Sequence, residues 1–331
     1  MALQFHSSTS PTAGAGHELG GALLGDGVAP TDAVVQAIDV PLLGADVATL
    51  RESWRRMEPA IEGTSEGIRF RRAGDILFGV VDLDEAAFAT SDARAPLQAA
   101  SEAAYARIFR LLEAQRLPHL WRVWNYIARI NAHSHGLERY RQFNIGRQDA
   151  FIAHRRGTRG NVPAACALGL ADGPLSIAFL AGATPALPVE NPRQVSAYNY
   201  PAEYGPRAPT FSRAALVHPP GQEILFISGT ASIVGHETVH PGDVARQCDE
   251  AMENIAAVVA EANRLARSAP FALDALVYRV YVRHAEDFPR VRDALRPRIG
   301  DAEVVFVQCD ICRADLLLEI EAMATHALAS V

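Results

Sequence analysis

Two stretches of the chain carry the same apolar run, Asp75-Ile-Leu-Phe-Gly-Val-Val-Asp82 and Glu223-Ile-Leu-Phe-Ile-Ser-Gly-Thr230, and each reads as a buried strand. The elements after each run are alike too. After the first, the periodicity predicts an amphipathic helix from Pro96 to Arg116, a strand Leu120–Tyr126 and a second helix from Leu137 to Phe151. After the second come a helix from Asp243 to Ala266, a strand Leu276–Val282 and a helix from Phe288 to Leu295. Both halves then close with strands, in 165–181 and in 304–323. This is the pattern of an internal duplication of a β-β-α-β-α-β-β unit. Two copies are too few for a solenoid. The expected architecture is α+β, with two tandem units of mixed sheet and helices on one face of each. The Gly/Ser/Ala-rich residues 1–30 read as a flexible arm, 31–200 as the first domain and 201–331 as the second.

The closing strand of the second copy, Leu316-Leu-Leu-Glu319-Ile-Glu321-Ala-Met323, sets two acids into an apolar run. Side chains alternate along a strand, so Leu317, Glu319, Glu321 and Met323 share one face and Leu316, Leu318, Ile320 and Ala322 the other. Two readings fit: an edge strand with one wet face, or a carboxylic acid held at the mouth of a pocket as a proton donor. Superposing the copies places Ser176 and Ala178 opposite Glu319 and Glu321, so only the second copy carries the acids.

The 331 residues, 49% hydrophobic and 21% charged, are enough for one large domain or two medium ones. A formal charge of −7 argues against a general nucleic-acid binder, and no run of 18 apolar residues offers a membrane span. The opening residues show no secretory signal pattern. All 31 basic residues are arginine. Without lysine, Schiff-base catalysis, a pyridoxal phosphate anchor and a Walker-type phosphate site are excluded, and anionic ligands must be gripped by guanidinium forks. Four cysteines, Cys166, Cys248, Cys309 and Cys312, are too few for a disulfide scaffold and suggest a reducing cytoplasm.

Several motifs invite metal or redox readings. His236-Glu-Thr-Val-His240 matches H-E-x-x-H, but a β-run ends at Gly235 and Pro241-Gly242 comes next, so an extended loop is expected where zinc needs a helix. Cys309-x-x-Cys312 has no second ligand pair at metal spacing. Neither metal nor cofactor is expected. The connection from Asn191 to Pro209 contains four prolines and displays Tyr198, Tyr200, Tyr204 and Arg207; it is either a stiff linker or one wall of a pocket between the copies.

The second half, with Pro209-Thr-Phe-Ser-Arg213, Leu225-Phe-Ile-Ser-Gly229-Thr, Gly242-Asp243, Met252-x-Asn254 and Leu318-Glu319-Ile-Glu321, resembles the Rid/YjgF deaminases, whose fold is chorismate-mutase-like. That resemblance implies that Glu319, the first acid of the pair, is the catalytic one. The arginine those deaminases carry before the final strand is absent here, where Val305-Phe-Val307 stands. Over almost the whole chain the resemblance is to the chorismatases, through Arg122-Val-Trp124-Asn125-Tyr126, 137–147, Glu190-Asn-Pro192, Tyr200-Pro-x-x-Tyr204-Gly-Pro-Arg207 and 314–321. It implies cofactor-free release of pyruvate from chorismate, with Glu319 as general acid/base. Tyr140, Arg147, Tyr200, Arg207 and Arg213 are implied as carboxylate binders, with Arg279 completing the positive surface. Gly229 with Cys312 resembles the 3-hydroxybenzoate-forming subgroup, and alanine at both positions the hydrolytic one that yields a dihydroxycyclohexadienoate. A Rid-like enamine or imine deaminase and a non-catalytic binding protein are the alternatives. The partner expected is thus a small molecule, chorismate, with monomer and trimer both open.

Overall fold

The computed structural model describes residues 2–9, 16–89 and 94–328. The duplication is visible in the order of strands across two sheets. One sheet runs Ala164–Leu170, His119–Ala128, Leu175–Gly182, Ile76–Leu83, Ile68–Ala73, Ile61–Ser65. The other runs Val304–Gln308, Val277–Val282, Leu318–Ala327, Gln222–Thr230, Ala214–Val217, Ala186–Val189. In both, the first two strands are parallel and the others antiparallel. Each unit therefore has three strands before its first helix, one more than the hydrophobic pattern predicts.

Helices α1 (Pro96–Ala114) and α2 (Arg139–Ala153) cover the outer face of the first sheet, and α3 (Val244–Leu265) and α4 (Phe288–Ile299) that of the second. In α3 the buried positions Val244, Cys248, Ala251, Met252, Ile255, Val258, Val259 and Ala262 recur at helical spacing, and Asp243 caps the start by accepting from the Arg246 N–H. No helix among the described residues is long and apolar enough to cross a membrane.

The expected flexible arm is instead part of a third sheet. Its four strands lie in the order Gln4–Ser8, Thr49–Arg56, His17–Gly25, Val35–Asp39, and Leu3, Leu19 and Leu24 are buried. Glycine is the reason the composition misleads. A side chain at Gly21 would fall 1.8 Å from the Glu52 carbonyl oxygen, so the glycines that suggest flexibility permit close strand approach. Residues 1 and 10–15 of that arm lie outside the described residues. The inner faces of all three sheets meet in one core, with Leu24 and Trp54 from the third sheet against Phe78, Trp124, Phe226 and Tyr281.

The boundaries between units also fall elsewhere than expected. Ala186–Val189 already pairs with Ala214–Val217 in the second sheet, ahead of residue 200. Asp310–Ile311, from the second half, pairs with Ala164–Leu170 at the edge of the first.

Candidate active site

Leu318–Ala327 is a central strand, between Gln222–Thr230 and Val277–Val282, so the wet-edge reading of its acids does not hold. Leu318, Ile320 and Ala322 face α3 and α4, while Glu319 and Glu321, 4% and 7% exposed, point into the space between sheets. In the ladder Glu319 stands opposite Tyr281 and Glu321 opposite Arg279; in the first copy Ser176 stands opposite Tyr126 and Ala178 opposite Trp124. The hydroxyls of Tyr126 and Tyr281 meet at 2.9 Å.

The two acids hold different protonation states because their surroundings differ. Glu321 accepts from Arg122 and from Trp124 Nε1 at 3.2 Å, and its Oε1 lies 3.3 Å from Arg279 Nη1. Burial works against its charge, but Arg122 and Arg279 outweigh burial and hold the carboxyl below its ordinary range. For Glu319, burial comes first and the charge of Glu321 second; against Arg122 and Arg213 they push its carboxyl up to about 8. Glu321 thus favours its charge and Glu319 its proton, a difference that two adjacent carboxyls reach only in unequal environments.

Glu319 lines a cavity of about 380 Å³. On α2, Tyr140 and Arg147 are two turns apart and both line it. Arg147 donates to Asn144 Oδ1 at 2.7 Å and lies 4.9 Å above the Phe143 ring. Arg213, ahead of the strand Ala214–Val217, donates to the Tyr200 hydroxyl and to the Val195 carbonyl, both at 2.8 Å, and sits between the Tyr200 and Phe211 rings. Arg313 donates to the His236 carbonyl at 2.9 Å, with its guanidinium 4.2 Å from the Tyr204 ring centre. The proline-rich connection is therefore a pocket wall through Tyr200 and Tyr204, and Tyr198 is not among the lining residues.

Each of these three arginines keeps a buried N–H without a partner in the protein: Arg147 Nε, Arg213 Nε and Arg313 Nη2. A buried donor left unmet costs about 1–3 kcal/mol, more on a charged group, and all three guanidinium side chains line the cavity, beside the carboxyls of Glu138, Glu237 and Asp315. Cys312 lines the same space, its Sγ 4.0 Å from Glu319 Oε2; burial, then the neighbouring Glu319, pushes the thiol up to about 12, and it stays protonated.

The family model of FkbO/Hyg5-like chorismatases, N-terminal part, matches residues 52–181. A chorismatase of Streptomyces rapamycinicus is 41% identical over 278 residues, 82% of this chain and 80% of that protein. The chain belongs to the chorismatase family. A 3-hydroxybenzoate synthase of Streptomyces hygroscopicus is 36% identical to this chorismatase-family chain over 294 residues, 86% of it and 84% of that protein. The crystal structure of a chorismatase superposes with a TM-score of 0.85 at 34% identity, covering 98% of each chain.

Within this chorismatase-family site, Glu319, Cys312, Tyr140, Arg147, Tyr200, Arg213 and Gly229 come together around one cavity. Two expected binders do not. Arg207 is 45% exposed and pairs with Asp149 at 3.3 Å. Arg279 lies behind Glu321, bound to Glu52 and donating to the Tyr126 and Tyr281 hydroxyls, each at 3.1 Å. The sequence reading misses Arg313, Phe211 and Cys166 in the cavity lining and Glu52 behind it. Arg313 had a signal, its place between Cys312 and Glu319; Glu52 had none. Finally, His236 Nδ1 lies 3.3 Å from the Tyr204 hydroxyl, His240 Nε2 lies 3.7 Å from Glu250, and the segment between them is a two-residue strand, Glu237–Thr238. Cys309 points away from Cys312, with its Sγ 3.0 Å from the Gly169 carbonyl.

Proposed function

We propose that this enzyme converts chorismate to 3-hydroxybenzoate and pyruvate by acid/base catalysis from Glu319, without a cofactor. The observation that carries the reading is one carboxyl, held towards its protonated form, in the lining of a cavity that four arginines, Arg141, Arg147, Arg213 and Arg313, also line. Chorismate is a dianion with an enolpyruvyl ether, so its carboxylates match the guanidinium groups of that lining and its ether needs a proton.

The steps balance without added reagent. Glu319 delivers its proton to the methylene carbon of the enolpyruvyl group. The neighbouring ring hydroxyl oxygen then attacks the ring carbon that bears the ether, the carbon–oxygen bond breaks and pyruvate leaves with the electron pair. The hydroxyl proton returns to the Glu319 carboxylate; the bridge then opens at the carbon that had carried the hydroxyl, its oxygen takes up one proton, and the ring carbon that keeps this oxygen releases its hydrogen as a proton to solvent, which leaves the aromatic phenol and no net change in protons. Cys312 stands beside the acid as a weak donor to the bridging oxygen. Positioned acid catalysis contributes about 10²–10⁴-fold, and holding both carboxylates orients the ring for attack.

The test is incubation of the protein with chorismate, without added metal, resolving ring products against standards and assaying pyruvate. Equal amounts of 3-hydroxybenzoate and pyruvate support the reading. The dihydrodiol in place of 3-hydroxybenzoate would overturn the product assignment. No pyruvate above background, with turnover of an enamine, would replace the reading by the deaminase one.

A further inference from the structure

Behind the cavity lies a closed charge cluster that the proposed reaction does not use. Arg122 and Arg279 are its cations, Glu321 and Glu52 its anions, all buried. Glu52 comes from Thr49–Arg56, in the sheet that the N-terminal residues build, while the other members come from the two duplicated units. It takes Arg279 by two bonds, through Nη2 and through Nε at 3.3 Å. Arg279 is left with only the 3.3 Å approach of Nη1 to Glu321, and that same nitrogen also serves the Tyr126 and Tyr281 hydroxyls. The two positive and two negative charges cancel without Glu319. We propose that Glu52 is a positioning residue for the acid: it takes Arg279 through Nη2 and Nε and so leaves only Nη1 to Glu321, the neighbour of Glu319 on the same face of its strand.

This inference rests on the reading of Glu319 as the general acid. The groups facing Glu319 agree with it. Glu321 on its own strand favours the protonated form, Arg122 and Arg213 oppose it, and Cys166, Cys312, Tyr140 and Tyr281 are all neutral neighbours, their ionisation pushed up first by burial. Around Glu52 the charges are Arg279, Glu321 and Glu303; burial, the larger effect, lifts its carboxyl above the ordinary range, with Arg279 opposing, and the two bonds to Arg279 are what favour its charged form. In Glu52→Gln the counter-ion is gone, and Arg279 turns its whole charge on Glu321. Glu319 then loses its proton more readily.

The experiment is the pH dependence of kcat for pyruvate release from chorismate in the wild type, Glu52→Gln and the double variant Glu52→Gln/Arg279→Gln. It is paired with infrared titration of the protonated carboxyl band, identified by its loss in Glu319→Gln. The wild type should lose activity through about pH 8, where the Glu319 carboxyl titrates. Glu52→Gln should move that limb, and the infrared titration, down by about one pH unit, a tenfold change in proton affinity. The double variant should move both back towards the wild type, since the stray cation is gone with its partner. A purely structural role for Glu52 would lower kcat by one factor at every pH and leave both midpoints in place; that result overturns the inference. If Glu52→Gln does not fold, the double variant decides: a midpoint shifted down in it as well, with no cation left to cause it, equally overturns the inference. An infrared band that shifts as expected while Glu319→Gln keeps wild-type turnover would instead sink the catalytic reading and leave the charge coupling standing.

Discussion

A β-carbon built on Gly229 would fall 1.8 Å from Glu319 Oε1 and 2.5 Å from its Cδ, so the acid occupies the space that a side chain at 229 would fill. The pairing of Gln222–Thr230 with Leu318–Ala327 slips between Ile227 and Thr230, and Gly229 lies in that irregularity. Gly229→Ala must therefore displace the carboxyl. Since a misplacement of about 1 Å can cost about 10²-fold in rate, kcat for pyruvate release should fall by that order in the single variant. Combined with Cys312→Ala, the product should shift towards the dihydrodiol, read by chromatography. An unchanged product ratio would remove the basis for assigning 3-hydroxybenzoate.

The two acids should fail in different ways. Glu319→Gln keeps the shape and removes the proton, so kcat should drop by about 10²–10⁴-fold with folding intact. Glu321→Gln leaves Arg122 and Arg279 without their shared anion, which costs about 3–5 kcal/mol when one partner of a buried pair is removed. Its first effect should be a lower melting temperature. Turnover near the wild-type rate in Glu319→Gln, with none in folded Glu321→Gln, would reverse the roles.

A protonated buried acid also leaves a mark on stability. The Glu319 carboxyl titrates at about 8 in the folded protein against 4.5 for an ordinary glutamate. Below the lower value both states carry the proton and folding is not penalised. Between the two values unfolding releases a proton, so stability falls as pH rises and levels off above about 8. Glu319→Gln has no such term. Urea unfolding at about pH 5 and about pH 8.5 should show the variant gaining on the wild type by more than about 1 kcal/mol, one pH unit being worth about 1.4 kcal/mol. A constant difference would mean that Glu319 is ionised when folded.

The duplication was legible because both copies keep the same apolar runs, and these fix strand position; Ser176 and Ala178 align with Glu319 and Glu321 through the facing tyrosines, Tyr126 and Tyr281. What was not legible depends on the third dimension. Glu52 sits in Arg51-Glu-Ser-Trp-Arg-Arg56, where alternating charge reads as a solvent-facing strand, yet its side chain is covered by the sheet that brings Arg279. Arg207 and Arg213 look alike in sequence, yet Arg213 lies against the Tyr200 ring in the cavity lining while Arg207 pairs with Asp149 at the surface. Glycines at 20, 21 and 25 suggest a loose arm by composition and serve strand packing in the fold.

That difference between arginines gives the most direct check on the binding wall. Arg213 and Arg147 line the cavity, so an anion bound there would meet their guanidinium groups. Lysine keeps the charge and loses the fork, so Arg213→Lys and Arg147→Lys should raise KM for chorismate by about 10–10²-fold, in line with about 1.5–3 kcal/mol for hydrogen bonds to charged groups. Arg207 pairs with Asp149 at 3.3 Å on the surface, where an ion pair is worth about 0–1 kcal/mol. Arg207→Ala should therefore leave KM within about twofold of the wild type. Steady-state pyruvate release for the three variants decides the matter. A KM raised tenfold by Arg207→Ala and left alone by Arg213→Lys would mean that the substrate lies outside the cavity.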